Sequence, residues 1–230
     1  MKKIILLLFV ICFLGLRAQK GEIIYKTTML TSGAKDPTTD YAKKIEKEVN
    51  IMTYSLKYDN KYSFFKTIKY VPYDNFMSKI AQIYTHSIMG WYQDATEKKS
   101  FYNKKILKTN YMVNHNKMDN WVMSGDTKKI EGYICYKASR TTLNEKTGNP
   151  ELTEAWYTLD IPLPYGPAGC GGLPGLILEL RNKRVVYSVS KLKLNSEKNK
   201  YKYPAPSLEN PISIKEKIIL SRKARKVTDD

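Results

Sequence analysis

The sequence predicts a mainly β protein of the α+β class, in which an antiparallel sheet curls, or forms a half-barrel, with one to three helices at its periphery. Two observations lead to this prediction. Short apolar runs with a period of two recur along most of the chain, and Asn, Asp and Lys turns separate them. A loop at residues 160–175, the motif loop, then leads into a short apolar strand at residues 176–180. Four of the ten prolines and five of the twelve glycines lie in this loop, so it is neither a helix nor a central strand.

The chain begins with a predicted signal peptide at residues 1–19. Lys2 and Lys3 precede a thirteen-residue run of apolar or small side chains, and Arg17-Ala18-Gln19 follows it. The run is shorter than the roughly 20 residues that a membrane-spanning helix needs. We therefore expect cleavage after Ala18 and a periplasmic or secreted protein.

Residues 20–230 are predicted to form one domain, because no low-complexity linker and no internal repeat divides them. Cleavage of the predicted signal peptide would remove the basic residues Lys2, Lys3 and Arg17. The formal net charge would then fall from +17 to +14. In an exported protein this excess favours an anionic glycan or a lipid surface as partner over nucleic acid. A solvated, lysine-rich surface without a partner is the alternative interpretation.

The first elements follow from periodicity. Residues 23–29 alternate as a strand, and residues 36–39 are typical of a helix start. That helix would place Tyr41, Ile45 and Val49 on one face. Residues 52–58 and 62–67 alternate on either side of an Asp-Asn-Lys turn, which predicts an antiparallel hairpin.

A second helix is predicted to begin after the capping residue Asp74 and to stop at Gly90. Its apolar face would comprise Phe76, Ile80, Ile83, Tyr84 and Ile88. Short β-like runs follow near residues 91–92, 100–107, 111–113 and 121–123. A longer hairpin is predicted from residues 132–142 and 152–159, and a last strand from residues 185–194.

The C-terminal region changes character. We expect Pro204, Pro206 and Pro211 to break the sheet. A basic helix is predicted at residues 214–227, either docked on the domain or directed to a membrane surface or partner. It would pack Ile214, Ile218 and Ile219 and expose Arg222, Lys223, Arg225 and Lys226.

The motif Gly-Leu-Pro-Gly-Leu-Ile at residues 172–177 resembles the signature of the GLPGLI family of exported Bacteroidota proteins. Two upstream blocks also resemble that family, in the same order: Ile130, Gly132-Tyr133, Cys135 and Ala138, and then Ala155-Trp156-Tyr157-Thr158, Ile161-Pro162 and Gly166-Pro167. This chain has Gly169-Cys170 where the family pattern has an aromatic residue before the glycine pair. The resemblance implies an exported, mostly β protein associated with outer-membrane uptake systems, and it supplies no catalytic residues.

No metal, cofactor or catalytic residue is predicted. The two histidines, His86 and His115, stand far apart without a partner at metal-ligand spacing, and both are expected to be ordinary residues. No Gly-x-Ser-x-Gly motif occurs. Beyond the signal peptide, Cys135 and Cys170 are the two cysteines. Three interpretations are open for this pair: a disulfide, two free buried thiols, or a nucleophilic Cys170.

The candidate binding residues lie in and beside the motif loop: Trp156, Tyr157, Tyr165, Leu173, Pro174 and Glu179. Strict alternation places Glu179 on the face of Ile177, opposite Leu178. The many tyrosines of the sheet either line a cavity or fill a core. The sequence thus favours a non-enzymatic binding or accessory protein of the cell envelope, whose partner is an outer-membrane uptake or envelope protein. A glycan or peptide hydrolase with an unrecognised site is the alternative.

Overall fold

The structure is a computed structural model that describes residues 20–30, 40–145, 147–194 and 202–228. The predicted signal peptide and the predicted helix start at residues 36–39 lie outside the described residues. The described helices are α1 (Asp40–Ile51), α2 (Asn75–Tyr84) and α3 (Ile214–Thr228). The strands are β1 (Gly21–Met29), β2 (Thr53–Tyr58), β3 (Tyr62–Thr67), β4 (Trp91–Asp94), β5 (Lys99–Ile106), β6 (Thr109–Asn114), β7 (Val122–Ile130), β8 (Tyr133–Leu143), β9 (Pro150–Thr158), β10 (Leu176–Asn182), β11 (Val185–Lys193) and β12 (Pro211–Ser213).

All twelve described strands join one sheet in the order β12-β6-β5-β4-β3-β2-β1-β11-β10-β9-β8-β7. Neighbours are antiparallel except β12 and β6, which pair in parallel. Gln93 of β4 donates to Cys170 O, and Trp121, just before β7, donates to Gly171 O. Since β4 and β7 stand eight places apart, a flat sheet would separate them by about 38 Å. The sheet therefore curls around the motif loop, and the predicted fold class is confirmed.

Aromatic side chains fill the inside of the curl. Tyr54 stacks on Phe65 with ring centroids 5.1 Å apart and meets Tyr187 edge-on at 5.4 Å. Tyr25 lies edge-on to Phe65 at 6.2 Å, and its hydroxyl donates to Ile177 O at 2.7 Å. Offset and edge-on pairs are the arrangements that ring quadrupoles favour. The sheet tyrosines were expected either to line a cavity or to fill a core. Tyr25, Tyr54 and Tyr187, packed with Phe65, fill a core.

Helix α2 begins as predicted but presents another face. The Asp74 carboxylate accepts hydrogen bonds from the Phe76 and Met77 amides at 2.7 and 3.0 Å, so it caps the helix. The helix ends at Tyr84, six residues before Gly90. Its buried residues are Ser78 and Ala81, whereas Phe76, Ile83, Tyr84 and Ile88 are exposed. The predicted apolar face was therefore wrong for these four residues, because small side chains face α1 and the core.

Three further expectations, about Tyr41, Ile219 and Pro211, were wrong. In α1, Ile45 and Val49 are buried as predicted, but Tyr41 is exposed. In α3, Ile214 and Ile218 are half-buried while Ile219 is exposed. Pro211 does not break the sheet: it begins β12 at the sheet edge, a position where the missing amide costs no ladder bond. Within the described residues, no helix is long and apolar enough to cross a bilayer.

The C-terminal segment before β12 covers the outer face of the sheet. Phe64, Tyr92 and Phe101 form a row of rings there, and the Tyr203 ring stacks on Phe64 with centroids 6.1 Å apart. Tyr92 donates to Pro204 O at 3.1 Å, and Asn103 donates to Ser207 O at 2.7 Å. Strands β3 to β6 are thereby covered on both faces, which leaves the outer face of β7 to β10 as the more open side.

Candidate functional site

A bulge in β10 places Glu179 on the same face of the sheet as Trp156, another predicted binding residue. Ile177 pairs with Tyr157 of β9, but Glu179 pairs with Trp156, because the register shifts between them. Directly paired residues share a face, and successive residues of β9 point to opposite faces. Glu179 and Trp156 therefore lie on the outer face, and Ile177 and Tyr157 face the core. Strict alternation, which put Glu179 with Ile177, was wrong because Leu178 is the extra residue.

On the outer face, charged side chains of both signs surround Trp156. We call this group of residues the outer-face site. Its members come from four adjacent strands: Lys128, Lys137, Glu154, Trp156, Glu179 and Arg181. Lys128 Nζ donates to Glu179 Oε1 at 2.7 Å and lies 4.4 Å from the Trp156 ring centroid. Lys137 Nζ lies 2.7 Å from Glu154 Oε1 and 6.0 Å from the same ring. Cation–π and ion-pair contacts thus hold both ammonium groups beside the indole.

The site has more positive than negative charge. Three cations face two carboxylates, and Arg181 Nη1 reaches Glu154 Oε2 only at 3.7 Å. The hydrogen bond that Lys137 donates to Glu154 raises the pKa of Lys137, so this ammonium stays charged at neutral pH. An open depression of about 330 Å³ adjoins the site and shares Glu154 and Arg181 with it. The other lining residues are Pro150, Glu151, Leu152 and Lys183.

The remaining predicted binding residues do not join this surface. Pro174 is exposed, but Tyr157, Tyr165 and Leu173 are buried. The Tyr165 hydroxyl donates to Asp59 O at 3.2 Å, inside the curl of the sheet. The motif loop thus acts as a plug for the core, and of the six candidates only Trp156, Pro174 and Glu179 reach the surface at least in part.

The sequence did not predict three residues of the outer-face site: Lys128, Lys137 and Arg181. Their lysine and arginine side chains were indistinguishable from the general basic excess of the chain. The spacing of Glu154 and Trp156, and of Glu179 and Arg181, shows two residues of one face of a strand. Strand pairing, which places Lys137 opposite Trp156, supplies the missing information.

The two cysteines lie on opposite faces of the sheet. Cys135 pairs with Lys128, so it points outward beneath the outer-face site. Cys170 is enclosed in the motif loop, within electrostatic reach of Lys117 and Arg140. Both are free buried thiols, so the disulfide is absent from the structure. Burial raises the pKa of Cys135 to about 11 and raises that of Cys170, which disfavours the thiolate that a nucleophile needs.

Alkylation checks this arrangement of thiols. In the folded protein we expect neither Cys135 nor Cys170 to react appreciably with iodoacetamide, because both are buried and protonated. After unfolding without reductant, both should become fully alkylated. A peptide pair that remains linked in non-reducing mass mapping would instead establish the disulfide.

The described residues contain no group of three or more His, Cys, Asp or Glu side chains that could hold a metal ion. His86 follows α2 in a turn with a positive φ of 48°, rather than on a helix face. His115 lies against the Trp91 ring with centroids 5.7 Å apart. Burial, aided by the nearby Lys117, lowers the pKa of each histidine to about 3. Both imidazoles are therefore neutral at physiological pH.

Comparisons with known proteins bear on the loop and the fold. A family model described as a protein of unknown function, Porph_ging, matches residues 140–179, from the end of β8 through most of β10. No curated protein matches the chain. Structures of PNGF-II in space groups P21 and C2 are similar, each with a TM-score of 0.53, at 14% and 15% identity. Each alignment covers 90% of this chain and 34% of PNGF-II, so the likeness concerns the fold of about a third of that protein.

Proposed function

We propose that this is an exported, non-enzymatic binding or accessory protein of the cell envelope, and that its outer-face site binds an anionic glycan. One observation carries the proposal: the half-buried Trp156 ring lies beside two lysine ammonium groups, 4.4 and 6.0 Å from its centroid, on an open sheet face. An indole offers an apolar surface to a sugar ring. Lysine and arginine beside it form charge-assisted hydrogen bonds with carboxylate or sulfate groups.

The carboxylates of the site support binding over hydrolysis. Glycoside hydrolysis uses a pair of carboxyl groups, one of which gives up a proton to the leaving group. Here Glu154 and Glu179 are each in contact with a lysine ammonium at 2.7 Å. These contacts favour a charged recognition surface over a hydrolase of glycan or peptide.

Export and partner are further parts of the proposal. The predicted signal peptide supports a periplasmic or secreted location. The family match covers the motif at residues 172–177, which supports the resemblance to the GLPGLI family. An outer-membrane uptake or envelope protein would then be the protein partner, with the basic surface facing an anionic glycan or lipid surface.

Titration with trigalacturonic acid, an acidic trisaccharide, tests the glycan site. We expect saturable binding by calorimetry and none of the neutral trisaccharide maltotriose. The double variant Lys128→Gln/Lys137→Gln should bind at least about tenfold more weakly, since it loses two charge-assisted contacts. Trp156→Ala should also bind more weakly than the wild type, because it removes the apolar surface offered to the sugar ring.

Lys108→Gln provides the matched control, since Lys108 is exposed in the turn between β5 and β6. This variant should bind like the wild type. Equal losses in Lys108→Gln and in the double variant would mean that the attraction is diffuse and would contradict a defined site. New reducing ends after incubation with polygalacturonate would favour the hydrolase alternative.

A further inference from the structure

Two cations are buried inside the curl of the sheet, away from the outer-face site. Lys117, between β6 and β7, is 8% exposed. Its Nζ donates to Ala168 O at 3.0 Å and lies 3.8 Å from the Trp91 ring centroid. Arg140 of β8 is 5% exposed, and it points to the opposite face from Lys137 because the two residues are three apart on one strand.

The guanidinium of Arg140 is only partly satisfied. Its Nη2 donates to Asn116 O at 3.2 Å, and its Cζ lies 5.6 Å from the Trp121 ring centroid. Its Nη1 is buried and has no hydrogen-bond partner in the part of the chain that the structure describes. An unpaired buried donor on a charged group is costly, so this atom indicates a missing acceptor.

The nearest carboxylate does not supply that acceptor. Asp119 Oδ1 lies 3.9 Å from Nη2, beyond hydrogen-bond distance, and the Asp119 side chain is 48% exposed. The Asp119 carboxylate also accepts a 2.6 Å hydrogen bond from the amide of Asn116, an exposed residue. Asp119 thus lies at the solvent margin of the cluster as a weak partner of Arg140.

The groups around the two cations leave a positive charge to be balanced. His86 and His115 are neutral, because burial and the nearby Lys117 lower the pKa of each to about 3. Burial also raises the pKa of the Cys170 thiol. Burial, with a contribution from Arg140, lowers the pKa of Lys117 to about 8, although Cys170 and Glu151 act in the opposite direction. Two cations of this kind in a low-dielectric interior are stabilised strongly by an anion.

We propose that Arg140 and Lys117 form a binding site for an oxyanion group: a carboxylate, sulfate or phosphate, free or at the end of a larger ligand. The unpartnered Nη1 and the neighbouring Nη2 of Arg140 provide a fork of donors that matches two oxygens of such a group. Lys117 adds a second positive charge, and the exposed residues Asn116 and Asp119 lie beside the guanidinium of Arg140. This site is separate from the outer-face site and does not depend on the proposed function.

Titrations of the full mature chain with phosphate, sulfate and acetate test the site, against chloride at matched ionic strength. We expect saturable one-to-one binding of at least one oxyanion by calorimetry, and the ranking of the three identifies the preferred chemistry. Arg140→Gln should bind at least about tenfold more weakly, because it removes the charged fork. Arg184→Gln, an exposed arginine in the turn between β10 and β11, should bind like the wild type.

Asp119→Asn gives a test in the opposite direction. Removing the competing carboxylate should tighten oxyanion binding about threefold to tenfold, and the exposed position makes the change compatible with folding. No saturable binding of any of the three oxyanions would overturn the proposal, as would an equal loss in Arg184→Gln. If Arg140→Gln does not fold, unchanged affinity in Asp119→Asn overturns it, and tighter binding supports it.

Discussion

Gly172→Ala is expected to destabilise the protein by about 4 kcal/mol or more, or to prevent folding. Gly172 has a φ of +81°, which an L side chain adopts only with strain. A Cβ there would also lie 1.8 Å from the carbonyl oxygen of Met118. Because that atom is backbone of a buried segment, it cannot rotate away as a side chain would. Urea unfolding followed by circular dichroism measures the loss.

Alanine substitutions at three other glycines distinguish the cost of backbone strain from the cost of a steric clash. Gly132→Ala has a similar φ of +87° but no atom within 4 Å of the new Cβ, so it should cost only about 1 kcal/mol. Gly175→Ala, whose Cβ would lie 1.8 Å from Thr158 O, should cost nearly as much as Gly172→Ala. Gly125→Ala in β7 meets nothing within 4 Å and should change stability by less than about 0.5 kcal/mol. Comparable losses at Gly172 and Gly125 would contradict a packed loop.

Gln93→Met should destabilise the protein by about 3 to 5 kcal/mol, although it nearly preserves the side-chain volume. Gln93 is fully buried, accepts from Ser63 Oγ at 2.7 Å and donates to Cys170 O at 2.6 Å. Its Oε1 also accepts from the Gly166 amide at 3.3 Å. Methionine would leave these partners without a hydrogen bond in a dry interior. The free energy of unfolding in urea provides the measurement.

Tyr25→Phe is the matched comparison, since it removes one buried hydrogen bond to the strand after the loop, Tyr25 Oη to Ile177 O. Its loss should be about 1 to 2 kcal/mol. If Gln93→Met costs no more than Tyr25→Phe, then the amide does not connect β4 to the motif loop as the contacts indicate. A larger loss would confirm Gln93 as the polar centre of that packing.

The expected losses in Gly172→Ala and Gln93→Met indicate a structural role for the Gly-Leu-Pro-Gly-Leu-Ile motif. Gly172 and Gly175 each fit against a backbone carbonyl, and Leu173 between them is buried. The glycines are therefore required by close approach of backbone to backbone. Apart from the exposed Pro174, the candidate binding groups lie outside the motif, on the outer face of β7 to β10 and at the buried Arg140.

Local patterns predicted local structure. The hairpin of β2 and β3 follows from alternation around an Asp-Asn-Lys turn, and Asp59 accepts from the Lys61 and Tyr62 amides there. The Asp74 cap of α2 follows from a carboxylate preceding an apolar run. Such features depend on residues within a few positions of each other, and the sequence contains all of them.

The sequence by itself determined the fold class and the β-rich hairpins, because periodicity and turn residues act on the adjacent backbone. Only the tertiary structure decided which way residues point after a bulge, as with Glu179, and which distant groups meet. Strand register places Lys128 and Lys137 beside Trp156, and the tertiary packing brings Arg140 within electrostatic reach of Lys117. Register and curvature depend on pairings between residues far apart in the chain, and spacing along the sequence does not encode those pairings.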